Sequence, residues 1–152
     1  MTRYQQFFGA APRGWGLSLG LLWLAFAADP YIQLPPIHNN LLLGRAVLLG
    51  CGILSGALSM WAHFSLPPLS RGTRLVTTGA FRKLRHPIYA SFLILFFGFA
   101  FWMDRWIFVA WAVLEIPLWH FSVLREEQMM REDFPAYADY CRHTSRFIPG
   151  LW

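Results

Sequence analysis

The chain has 152 residues, of which 56% are hydrophobic, 18% aromatic and only 14% charged, with a formal net charge of +5. A soluble domain carries about 25% charged residues, so the composition points away from an ordinary soluble fold and toward an all-α, polytopic membrane protein of one domain. No stacking surface or basic-helix module accompanies the positive charge, which argues against nucleic acid as a partner.

Arg3 and Arg13 lead into an uncharged run from Gly14 to Ala28 that stops at Asp29-Pro30. A span needs roughly 20 residues, so this one is expected to continue through Tyr31 to Leu34, with Pro30 as a candidate break. The same features, with Ala25-Phe26-Ala27 before Ala28, also fit a cleavable signal peptide. Pro35-Pro36-Ile-His-Asn-Asn40 predicts a turn. A second span follows from Leu41 to Ala62, rich in small residues (Gly44, Gly50, Gly52, Ser55, Gly56) that let helices approach closely. Arg45 near its start can snorkel to the interface. Residues 1–62 thus read as an N-terminal two-span hairpin, followed by a second part over 63–152.

Pro67-Pro68 ends the second helix, and Arg71, Arg74, Arg82, Lys83 and Arg85 follow. A third span is predicted from Pro87 to Met103, a tight turn at Asp104-Arg105, and a fourth span from Trp106 to about Leu124. The tail, 125–147, predicts one or two amphipathic helices, since Met130, Phe134, Tyr137 and Cys141 fall on one face. The 29–40 loop has no Lys or Arg, whereas the 63–86 loop and the tail are basic. That asymmetry places both termini on the cytoplasmic side, in a bacterial inner membrane. Cys51 and Cys141 have neither metal spacing nor a disulfide framework and read as unpaired thiols; no metal site is expected.

Ionisable residues gather at one membrane face. His86-Pro87 opens a helix, where proline is well placed at the first turn and the helix end carries partial positive charge. With Arg82, Lys83 and Arg85 beside it, this corner suits an anionic group. Glu126 and Glu127, where the fourth span leaves the membrane, are acceptors only and suit hydroxyls, an amine or an onium centre. A basic corner facing an acidic one matches a zwitterionic small molecule; ion pairs anchoring helix ends would use the same residues.

The segment Thr73-Arg-Leu-Val-Thr-Thr-Gly-Ala-Phe-Arg-Lys-Leu-Arg-His-Pro-Ile-Tyr89 resembles the L-V-x-x-G-x-[YF]-x-x-x-R-H-P-x-Y signature of the isoprenylcysteine carboxyl methyltransferase and phospholipid methyltransferase superfamily. Glu126-Glu127, Phe134, Tyr137, Tyr140 and Arg146-Phe-Ile-Pro149 resemble its tail. The resemblance implies an intramembrane methyltransferase that uses S-adenosylmethionine. It implies cofactor contacts at Thr73, Arg74, Leu75, Val76, Phe81, His86, Pro87, Ile88, Tyr89 and Glu126, with Leu75, Val76 and Phe81 on the adenine side. Carboxyl-methylating members carry an arginine one turn before the Glu pair. Here Ser122 stands at that position, and Arg125 adjoins the pair instead, a candidate catalytic residue. Membrane sterol reductases, which use NADPH, have a similar Tyr-Cys…Ile-Pro ending. Their R-H-x-N-Y motif differs from this chain, where Pro87 follows His86. A non-enzymatic subunit holding haem through His63 and His120 is a further alternative.

Glu115 is an ionisable residue inside a span, a functional candidate by default. It shares a helix face with Trp119, Ser122 and Glu126 at i, i+4, i+7 and i+11. On this reading Glu115 is a catalytic or acceptor-lining residue that favours an amine, and Trp119 and Ser122 bind substrate. The acceptor is lipophilic or small: an isoprenylcysteine-like carboxylate, a lipid amine or a thiol.

Overall fold

The helix breaks fall where proline or a left-handed residue forces them. The computed structural model describes residues 11–66 and 73–150; Arg3, Pro67-Pro68 and Arg71 lie outside these. Helix α1 is Ala11–Ala28, and a 3-10 turn follows at Asp29–Tyr31. Helix α2 is Leu41–Ser65, α3 is Pro87–Met103, α4 is Trp106–Asp133 and α5 is Tyr137–Arg142, with a second 3-10 turn at Gly79–Arg82. Among the described residues the regular structure is helical throughout.

Each boundary has a local cause. The Asn40 side chain caps α2 by accepting a hydrogen bond from the Leu43 N–H at 3.0 Å. Pro87 occupies the first turn of α3. Asp104, at φ 57°, ends α3 in the left-handed region, and extended Arg105 starts α4. Three hydrogen bonds brace this turn. The backbone N–H groups of His38 and Asn39 donate to the Asp104 carboxylate at 2.8 and 3.0 Å. Arg105 Nε donates to Asp29 Oδ1 at 2.9 Å.

Two expectations need correction. The first helix does not run on to Leu34: it stops at Ala28, the 3-10 turn holds the candidate break at Pro30, and the chain is extended by Ile32. Nor does the tail begin as a separate helix at Arg125. Residues 125–133, Arg-Glu-Glu-Gln-Met-Met-Arg-Glu-Asp, are good helix formers and prolong α4 by more than two turns. Pro135 disfavours helix at Phe134, so the break falls there and α5 has only six residues.

The helices stand in the order α2, α3, α4, α1: α2 packs along α3, α3 against α4, and α1 against α4. The two N-terminal helices, adjacent in sequence, therefore have their main contacts with the C-terminal pair. The α2–α3 crossing is close because Gly98 lets the helix backbone approach Cys51 and the Cα of Leu48. Ser55 Oγ donates to the Ser91 carbonyl across the same crossing at 2.7 Å. An aromatic core joins α1, α3 and α4, with Tyr89, Phe96, Phe108, Trp111 and Trp119 buried. The outer faces are apolar too: Leu42, Ile53 and Phe64 on α2 are exposed. Apolar surface of this kind is what a bilayer covers, and α2 and α4 are each long and apolar enough to cross one.

Candidate functional site

The C-terminal segment folds back onto the start of α3. The Arg85 and His86 N–H groups donate to the carbonyls of Ser145 (2.8 Å) and Arg146 (3.1 Å), and the Ser145 N–H donates to the Lys83 carbonyl at 3.1 Å. This short parallel pairing of Leu84 with Ser145 brings Arg146 beside Arg85 and His86. All three then meet Glu127.

Glu127 is the centre of the cluster and is only 2% exposed. Its Oε1 accepts from Arg85 Nε at 3.0 Å, from His86 Nε2 at 3.2 Å and from Arg146 Nε at 3.0 Å. Its Oε2 accepts from Arg146 Nη2 at 2.7 Å. Because a carboxylate can only accept, His86 carries its proton on Nε2. The two-pronged Arg146 contact is the geometry that makes guanidinium–carboxylate pairs strong. Arg146 Nη1 also donates to His120 Nδ1 at 3.0 Å. Arg85 Nη1 turns the other way, to the carbonyls of Cys141 and Thr144. One carboxylate thus bonds to two guanidinium groups and an imidazole, with a third guanidinium, that of Arg131, at 3.9 Å, and the cluster carries a net positive charge.

Glu126 behaves differently. Successive helical residues point about 100° apart, so Glu126 leaves the cluster and is half-buried. The Tyr89 hydroxyl donates to its Oε2 at 3.0 Å. Tyr89 lies beside the His86 ring, with centroids 5.6 Å apart, and stacks on Trp119 at 5.1 Å. Glu126 is therefore the carboxylate with capacity left for a ligand, while Glu127 is saturated by cations.

The other wall is the 3-10 turn at Gly79–Arg82. Gly79 has φ +61°, and a Cβ there would strike the Ser65 side chain. The Ser65 hydroxyl accepts the Ala80 N–H at 3.1 Å, tying this turn to the end of α2. From below, Tyr140 donates its hydroxyl to the Phe81 carbonyl at 2.6 Å. Burial pushes the Tyr140 phenol up to about 12, so it remains a donor across the physiological range.

The sequence-predicted residues divide accordingly. His86, Pro87 and Tyr89 are buried at the site, and Phe81, Ile88 and Glu126 are half-buried around it. Leu75 and Val76 are half-buried on the approach to the 3-10 turn, while Thr73 and Arg74 are exposed. Arg125 is exposed on α4. Ser122 Oγ donates to the Leu118 carbonyl at 2.8 Å, within its own helix. Trp119 and Glu115 are fully buried and joined, Trp119 Nε1 donating to Glu115 Oε2 at 3.0 Å. Sequence reasoning missed Glu127 and Arg146 as the organisers of the site. The Glu-Glu doublet and the Arg before Phe-Ile-Pro were the available signals.

The phospholipid methyltransferase family model matches residues 46–136. The chain belongs to this family. The match runs from α2 through the site to the turn after α4, so the family assignment and the geometry concern the same residues. Among curated relatives, the nickel-cobalt-cadmium resistance protein NccN of Alcaligenes xylosoxydans xylosoxydans is 32% identical over 70% of this chain and 52% of its own length. The cobalt-zinc-cadmium resistance protein CzcN of Cupriavidus metallidurans is 29% identical over 69% of this chain and 50% of its own. The chain thus spans about half the length of the curated relatives it matches. No solved structure matches it. Among the described residues, no three His, Cys, Asp or Glu side chains stand together as a metal site.

Proposed function

We propose that this protein transfers a methyl group from S-adenosylmethionine to a lipophilic acceptor at the cytoplasmic face of a bacterial inner membrane. Family membership supports methyl transfer, and the contrast between Glu126 and Glu127 carries the site assignment. When bound, the sulfonium cofactor supplies an electrophilic methyl group. The residues fit its two charged ends and its nucleoside. The positive cluster of Arg85, His86 and Arg146 suits its carboxylate. Glu126, held by Tyr89, suits hydroxyl or amino donors. Leu75, Val76 and Phe81 offer the apolar wall for the base, with Thr73 and Arg74 at its edge and Pro87 and Ile88 at its floor.

In this reading the protein works mainly by positioning and by excluding water, which can supply most of the acceleration of a displacement. The 83–86 and 145–146 pairing closes one side, and the Tyr89–Trp119 stack forms a wall beside Glu126. Trp119, Ser122 and Arg125 lie on the α4 turns between the bilayer and Glu126, and we assign the acceptor's approach to that stretch. Basic residues in the 63–86 loop and the tail favour the cytoplasmic orientation. From the relatives' metal-resistance names we infer that the methylated product serves cells exposed to those ions.

The test is methyl transfer from radiolabelled S-adenosylmethionine into extracted bacterial lipids by the protein in nanodiscs. Label appearing in the lipid fraction, and lost in Glu126→Gln, supports the reading. No label transfer, with NADPH binding instead, would replace it with a reductase.

A further inference from the structure

His120 sits on α4 seven residues before Glu127, so the two lie two turns apart on one face of the helix, about 10 Å along its axis. Arg146 spans that gap from the C-terminal segment. Its Nε and Nη2 donate to Glu127 at 3.0 and 2.7 Å. Its remaining nitrogen, Nη1, lies 3.0 Å from His120 Nδ1 and 3.5 Å from Nε2. The guanidinium is therefore gripped on both edges by one helix, and its side chain is only 13% exposed.

The two grips differ in chemistry. A guanidinium has donors and no acceptor, so the imidazole must meet it with a nitrogen lone pair. A neutral ring has that lone pair and an imidazolium lacks it; a positive ring would also repel Arg146. Glu127 cannot take over the third nitrogen, because Arg85 and His86 share its oxygens and the Arg131 guanidinium stands at 3.9 Å. His120 thus supplies the acceptor that a crowded carboxylate lacks. Charge reaches the His120 ring from Arg146 and from Glu127 on its own helix, and Tyr137 and Cys141 of α5 face Arg146 from the other side. His86 has the reverse polarity: it donates to Glu127, so a further proton strengthens its contact. Proton uptake therefore weakens this cluster at His120.

We propose that His120 is a positioning residue. Neutral, it holds Arg146 across Glu127 and so keeps residues 145–146 paired with the start of α3; protonated by water, it lets them go. Only hydrogen bonds are exchanged in this step. Arg146 is one of the cations assigned to the cofactor's carboxylate, so the loosened state binds cofactor less well; this consequence rests on the methyltransferase reading.

The test is amide hydrogen exchange of the protein in nanodiscs between about pH 8 and pH 5, across the ordinary histidine range. The reporters are the N–H groups of Arg85, His86 and Ser145, which bond across the pairing. Rates are divided by the intrinsic rate at each pH. In the wild type the protection should fall about tenfold as the pH drops, the worth of one hydrogen bond. His120→Asn places a carbonyl oxygen near the position of Nδ1 and cannot take a proton, so its protection should not change with pH. His120→Phe has no acceptor and should show the low protection at both ends of the range. Because His86 and His143 are present in every variant, a fall of their making would appear in all of them. Protection independent of pH in the wild type, or the same fall in His120→Asn, would overturn the role. S-adenosylhomocysteine titration of the same preparations reports the methyltransferase reading separately. A pH-dependent pairing without ligand binding defeats that reading alone; ligand binding with a pH-independent pairing defeats this inference alone.

Discussion

Glu126 and Glu127 are neighbours of one chemical type, and the structure gives them different partners, so matched substitutions separate them. Glu127→Gln leaves the guanidinium groups of Arg85 and Arg146, whose side chains are 7% and 13% exposed, without their anion. Breaking a buried ion pair by removing one partner costs about 3–5 kcal/mol. At about 2–4 °C per kcal/mol for a chain of this size, the melting temperature should fall by roughly 10 °C. The loss should be accompanied by release of the 145–146 segment from the start of α3. Glu126→Gln removes a charge from a half-buried side chain that still accepts the Tyr89 hydroxyl. Substitutions of that kind stay within about 0.5 kcal/mol. Thermal unfolding in nanodiscs, followed by circular dichroism, and S-adenosylhomocysteine titration at low temperature give the two readouts. The account expects a low melting temperature for Glu127→Gln alone, and lost binding with normal melting for Glu126→Gln. Equal melting of both variants would refute the division of labour.

Three further outcomes follow from the same geometry. Gly98→Ala places a Cβ against Cys51, whose Sγ lies 3.0 Å from that position; overpacking there should cost about 1–3 kcal/mol, read as a lower melting temperature that Cys51→Gly partly restores. Tyr140→Phe removes the hydrogen bond to the Phe81 carbonyl and should cost about 0.5–1.5 kcal/mol, measured by thermal melting. In the wild type the Tyr140 phenol, raised to about 12 by burial, should show no ionisation in ultraviolet difference spectra below about pH 11. At the opposite end of the bundle, desolvation raises the Asp104 carboxyl, but His38 and the Asn39 N–H together outweigh it and hold it below its ordinary value of 3.8. A lowered carboxyl contributes stability that is present above that value and lost as pH falls through the folded one. Amide exchange at residues 38–40 should therefore be slow at pH 5 and should accelerate, beyond its intrinsic pH trend, below pH 3.8.

Much of the helical layout was legible because its punctuation is local. Pro87 and Asp104 bound α3 at the predicted residues, since a proline at a first turn and a short polar residue in the left-handed region act on their own backbone. Asn40 likewise marks the start of α2. Residues 125–133 were harder to read: their charges suggested a membrane boundary, yet they are strong helix formers and nothing before Pro135 stops them. The same distinction applies within the site. The resemblance singled out His86, Tyr89 and Glu126, and the structure brings these three side chains into one corner. The role of Glu127 was not legible, because its partners arrive from 42 and 19 residues away and through a backbone pairing of 84 with 145 that leaves no periodic trace. Two adjacent glutamates look alike in sequence; only the 100° between them on the helix decides which meets the cations.

The central claim is that the corner between the start of α3 and Glu126 holds S-adenosylmethionine, and calorimetric titration of the purified protein in nanodiscs tests it most directly. The account predicts saturable binding of S-adenosylmethionine and S-adenosylhomocysteine to the wild type. It predicts loss of at least about tenfold in affinity, 1.4 kcal/mol, in Glu126→Gln and in Tyr89→Phe, with unchanged melting of Glu126→Gln. Wild-type affinity in both variants, or no binding of either ligand to the intact protein, would contradict it.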